Sequence, residues 1–207
     1  MNQSKLTRRE KEQLRHRNEI LDAAVSVFWE KGFNGAGVQE IAQMAEFGVG
    51  TLYRLFPGGK KEIYNSLQLK VVCTFEDELK KAMQKAKDEV QMIRAYIRAG
   101  AHTYAVHPKA MMVYLRETAW VGGSMERGLD PQPMERYRAC AGHVFKAITS
   151  GIKRGIFRKL DPSAAEVSLR ALIISLFMRW LEEPESMEVE DIVSFIEDVF
   201  LNGIRVG

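Results

Sequence analysis

The chain has 207 residues, 46% hydrophobic and 28% charged, with a formal net charge of +3. That is an ordinary globular composition, long enough for a sizeable core, and it excludes a disordered chain. No apolar run approaches the roughly 18 residues of a membrane span, the polar N-terminus lacks a secretory apolar core, and Cys73 and Cys140 stand far apart without a CxxC partner. No membrane association is expected, and a cytoplasmic protein follows.

The charge is unevenly placed. Residues 1–17 hold Lys5, Arg8, Arg9, Lys11, Arg15 and Arg17 against only Glu10 and Glu12, which reads either as a solvated tail or as a phosphate-binding arm. From about Glu10 to Lys31 the spacing of Ile20, Leu21, Ala24, Val25 and Phe28 predicts a helix, stopped by Gly32. Two very short helices follow. Val38, Ile41, Ala42 and Ala45 mark the first, over Val38–Ala45. Leu52, Leu55 and Phe56 mark the second, over Val49–Phe56, with Thr51, Tyr53 and Arg54 on its other face. Only Glu46-Phe47-Gly48 lies between them, so the chain must turn sharply. Helices this short persist only when packed, because nucleation costs more than a turn or two returns. Such a pair matches a helix-turn-helix, whose second helix enters a major groove.

After Pro57-Gly58-Gly59, a long helix is expected from Lys60 to about Lys87, with Leu67, Val71, Phe75, Leu79 and Met83 on one face. Further helices are expected near 89–106, 108–121, 132–154, 162–182 and 188–204, with prolines at or near their boundaries. Asp161-Pro162 has the form of an N-cap followed by proline at the first helical position. No strand alternation of useful length appears. The fold class is all-α.

Gly32-Phe33, Val38-x-x-Ile41-Ala42-x-x-Ala45, Gly50-Thr51-Leu52-Tyr53-x-x-Phe56, Lys60 and Ile63 resemble the DNA-binding domain of the TetR family of bacterial transcriptional regulators. The resemblance is dense over about 50 residues and becomes architectural beyond residue 75. It implies an N-terminal three-helix domain over residues 14–74, with its helix-turn-helix at about 37–56, and a larger helical effector-binding and dimerisation domain over 75–207. Gly37, Val38 and Gln39 would face a phosphate at the start of the supporting helix. Val49, Gly50, Thr51, Tyr53 and Arg54 would lie on the recognition helix, and Lys60 would touch a further phosphate. The sequence departs from the family pattern at Gly37, where Thr or Ser is usual, at Glu46, usually the turn glycine, and at Gly48, usually a hydroxyl cap. The link Pro57-Gly58-Gly59 is one residue longer than the common one.

The final two predicted helices are apolar around much of their circumference, through Leu169, Leu172, Ile173, Leu176, Phe177, Trp180 and Leu181, then Ile192, Val193, Phe195, Ile196, Val199, Phe200 and Ile204. Burial on more than one side follows. The resemblance implies a homodimer through 162–182 and 188–204, binding a double-stranded operator whose half-sites lie about 34 Å apart. It also implies a cavity for a small, mainly apolar or aromatic effector. Candidate lining residues are Phe75, Met92, Tyr96, Gly100, His102, Tyr104, Met112, Leu115, Trp120 and Phe145; each apolar one has plain core packing as its alternative.

The expected function is a ligand-responsive repressor without cofactor, metal or catalytic residues. Two other classes compete. An all-helical enzyme would need a signature such as Glu-x-x-His, which none of the four histidines provides; Cys140-x-x-His143 is a lone pair. A helical adaptor without DNA binding would explain Gly37, Glu46 and Gly48.

Overall fold

A computed structural model of the chain describes residues 7–118 and 130–206. Among the described residues the elements are α1 (Arg8–Gly35), α2 (Val38–Met44), α3 (Val49–Leu55), α4 (Gly59–Met83), α5 (Glu89–Val106), α6 (Pro108–Thr118), α7 (Pro131–Lys153), α8 (Pro162–Glu182) and α9 (Val189–Ile204). Extended pairing among them is limited to one antiparallel bridge, Phe157 with Arg205. The architecture is all-α, as the helical periodicities imply.

Two compact units form, one drawn from Met1–Lys70 with Lys109–Asp130, the other from Val71–Pro108 with Pro131–Gly207. In the first, Ile20, Leu21, Ala24, Val27 and Phe28 of α1 meet Ile41 and Ala42 of α2, Leu52 and Leu55 of α3, Phe56, and Ile63 and Leu67 of α4. This shared core supplies the burial that two seven-residue helices cannot generate alone. Val27 is buried where Val25 was expected; Val25 packs at the margin.

α1 begins before Glu10 because Thr7 and Glu10 close a capping box, each side chain accepting from the other's backbone N–H. The basic segment is therefore helical from Arg8 onward. At Gly32 the backbone turns to φ 69°, a conformation that strongly favours glycine, and one further turn runs to Gly35. α4 ends at Met83, short of Lys87. The reason lies downstream: Asp88 accepts the N–H of Gln91 at 2.7 Å and starts α5, so the chain must leave the helix before it. The expected end of the sixth helix at 121 lies outside the described residues.

In the second unit α5 packs against α7, α8 and α9. Its buried face includes Ile93, Tyr96, Ile97, Gly100 and Tyr104. Gly100 lies close to α8, where a Cβ would stand 3.5 Å from Ile173 Cγ2. α8 and α9 bury Leu169, Ile173 and Phe177, and Ile192, Ile196 and Phe200. Val167, Phe195 and Val199 remain exposed at 51%, 49% and 43%.

Candidate nucleic-acid interface

Gly37 is the N-cap of α2; lacking a hydroxyl, it leaves capping to Glu40, whose carboxylate accepts the Gly37 N–H at 3.1 Å. Lys31 bonds the same carboxylate and, with that N–H, holds its pKa below the usual value. The turn closes through Phe47 N–H to Ala42 O at 2.9 Å and Glu46 N–H to Gln43 O at 3.0 Å. Glu46 adopts φ 58°, the left-handed conformation that a glycine would take without steric cost. The family's preference for glycine there thus has a visible backbone cause. Gly48 starts α3, its carbonyl accepting from Thr51 at 2.9 Å and Leu52 at 3.2 Å.

Helix α3 divides cleanly. Leu52 and Leu55 are buried, as is Phe56 at its end, while Val49, Gly50, Tyr53 and Arg54 are exposed and Thr51 is half-buried. Tyr53, 48% exposed, is therefore a surface ring rather than a core filler, lying against Gly59. Val38 and Gly37 are half-buried and Gln39 is exposed at the start of α2. Lys60 is placed differently from a free phosphate contact. Its ammonium donates to the carbonyls of Phe33 (2.7 Å), Ala36 (3.0 Å) and Asn34 (3.3 Å), and lies 4.7 Å from the Phe33 ring centroid. All three donors of a lysine are thus used inside the protein.

The effector candidates are scattered. In the second unit Phe75 meets Tyr96 edge-to-face at 5.2 Å, and Tyr104 stacks on Phe177 at 4.8 Å. Met92 is half-buried and lines a surface cleft of about 340 Å³ together with Lys87, His143, Lys146 and Arg154. His102 and Phe145 are exposed, His102 lying 4.0 Å from Glu78. Met112 and Leu115 are buried on α6 in the first unit. Trp120 lies outside the described residues.

Sequence reasoning missed a buried polar group in the second unit. Burial holds the Tyr96 and Tyr137 hydroxyls above their usual pKa; the two side chains hydrogen-bond, and Tyr137 also bonds Arg170. Arg170 in turn pairs with Glu166 at 3.4 Å, one helical turn away on α8. A Glu and an Arg four residues apart inside an otherwise apolar helix are the available signal. The Cys140-x-x-His143 pair does not converge: Cys140 is buried, with its thiol pushed up to about 11 by burial, while His143 is exposed. Among the described residues no group of three His, Cys, Asp or Glu side chains could hold a metal ion. Nor, among them, is any helix long and apolar enough to cross a membrane.

A packed helix-turn-helix that offers an exposed second helix is the arrangement by which DNA-binding transcriptional regulators enter a major groove. Residues 20–67 match the family model described as bacterial regulatory proteins, tetR family. The chain is 24% identical over 205 residues to the HTH-type transcriptional repressor NicS of Pseudomonas putida, covering 92% of this chain and 93% of that one. It is 22% identical over 188 residues to the uncharacterized HTH-type transcriptional regulator YhgD of Bacillus subtilis, covering 91% and 96%. Its fold superposes with TM-score 0.75 and 20% identity on the transcriptional regulator FadR of Bacillus subtilis, solved in complex with stearoyl-CoA, covering 91% and 99%. The likeness to tetR-family regulators thus lies in the family model over residues 20–67 and, for the rest of the chain, in the fold.

Proposed function

We propose that this chain is a repressor that binds a palindromic operator as a homodimer and is released or tightened by a small, mainly apolar effector. The carrying observation is the division of α3, which buries Leu52 and Leu55 and offers Val49, Gly50, Tyr53 and Arg54 to solvent. Tyr53 and Thr51 would contact the DNA backbone or base edges, with Arg54 beside them, while Gly37, Val38 and Gln39 would set a phosphate against the start of α2. Lys60, with its donors occupied, would contribute field rather than a direct bond. Dimerisation would cover the exposed Val167, Phe195 and Val199 on α8 and α9. Phe75, Tyr96, Gly100 and Tyr104 would bound the effector site. Effector and DNA would be coupled reciprocally through α4, one continuous helix whose residues enter both units. Such a protein acts on chromosomal DNA in the cytoplasm.

The test is selection of duplexes from a random-sequence library by the purified protein, with light scattering for mass. An inverted repeat recovered by a dimer supports the reading. A monomer that enriches no sequence at low salt overturns it.

A further inference from the structure

Arg17 lies in the basic N-terminal segment, yet its guanidinium is turned into the protein. One nitrogen donates to the carbonyl of Leu55, the last residue of α3. The other donates to Ser66 Oγ at 3.4 Å and lies 3.7 Å from the Glu62 carboxylate. The plane sits 4.0 Å from the centroid of Phe56. Glu62 also accepts the Gly58 N–H at 2.8 Å, so the same carboxylate ties the link between α3 and α4.

From this geometry we infer that Arg17 is a positioning residue for the recognition helix, setting its tilt from behind rather than binding phosphate. A helix leaves its last carbonyls without partners, and a cation there satisfies one while complementing the negative end of the helix dipole. For a seven-residue helix that end is half the element. The carbonyl, hydroxyl, carboxylate and ring surround the guanidinium on α3 and α4, so the fork fixes the exit of α3 against α4. Lysine, a point charge without a planar fork, cannot reproduce those contacts together.

The inference rests on the DNA-binding reading and is separable from it, because the unaltered protein is the control in every titration. The probes are a duplex selected by the unaltered protein and a random duplex of equal length, titrated over a range of salt with Arg17→Gln, Arg17→Lys and Ser66→Ala. Circular dichroism verifies that each variant is folded. The expected result is a loss of about tenfold or more in affinity for the selected duplex with both Arg17 variants, because a charged hydrogen bond is lost. Ser66→Ala shows a smaller loss. Affinity for the random duplex and the slope of log affinity against log salt stay unchanged. A phosphate contact would instead weaken both duplexes equally, lower the slope by about 0.9 for each Arg17 in the complex, and survive in Arg17→Lys. That pattern, or unaltered binding by folded Arg17→Gln, overturns the inference. Should Arg17→Gln fail to fold, Arg17→Lys and Ser66→Ala decide it: unaltered selectivity in both overturns it. If the unaltered protein binds neither duplex, the DNA-binding reading itself fails.

Discussion

Glu117 on α6 accepts the backbone N–H of Phe33 at 3.0 Å, across 84 residues of sequence. Phe33 follows Gly32, where α1 breaks, so its amide has lost its ordinary helical partner. Arg116 beside it donates to the Trp29 carbonyl at 3.2 Å and lies 4.3 Å from that ring. Helix α6 thus completes the end of α1. Glu117→Ala should destabilise the protein by about 1–2 kcal/mol, the cost of an unsatisfied part-buried donor. Glu117→Gln, which can still accept, should cost less. Urea unfolding of the two variants checks this.

Glu46 separates backbone strain from charge. Its φ of 58° costs a non-glycine residue about 1–2 kcal/mol, partly offset by the larger unfolded-state entropy of glycine. Glu46→Gly should therefore stabilise the protein by about 0.5–1 kcal/mol. It should also tighten DNA binding by removing a negative charge from the turn before α3. Glu46→Ala should tighten binding without the gain in stability. Thermal unfolding and DNA titration on both variants distinguish the two effects.

Gly151 on α7 is a position of close approach. A Cβ there would stand 2.2 Å from the ring of Phe157, which is 2% exposed and has nowhere to retreat. Gly151→Ala should cost about 3 kcal/mol or more through overpacking. Denaturant unfolding with the m-value monitored is the measurement; a loss below about 0.5 kcal/mol would show that the ring moves freely.

Glu89 gives a pH dependence with a defined sign. Ser150 donates to its carboxylate at 2.7 Å and Arg154 at 2.8 and 2.9 Å, and these bonds, with the backbone, hold its pKa below 4.5. The unfolded chain therefore binds a proton here more readily than the folded one. The contribution is complete above the ordinary carboxylate range and fades as pH falls through the lower folded value. Glu89→Gln should lower stability at neutral pH and narrow its difference from the unaltered protein as the medium is acidified below about pH 4.5. A difference that stays constant from neutral to acid would refute this.

Legibility followed the range of the interaction concerned. The alternation of Leu52, Leu55 and Phe56 with Tyr53 and Arg54 states which side of α3 is buried, and the structure agrees. Lys60 and Arg17 were harder. Both are basic residues beside a DNA-binding motif, and nothing in their local spacing reveals that carbonyls 24–38 positions away receive them. His102 and Phe145 share the limit: helical spacing lists candidates for an inner face, but neighbouring helices decide which part of the circumference is covered, and both side chains are exposed.

What the residues determined alone was the all-α class, the order of the helices, the break at Gly32, the Asp161 cap and the helix-turn-helix, because each depends on interactions within a few positions along the chain. What only the tertiary structure decided was the use of individual polar groups: Arg17 on Leu55, Lys60 on Phe33 and Ala36, Glu117 on Phe33. Helix ends leave carbonyls and amides that need partners, and folding alone determines which distant side chain arrives.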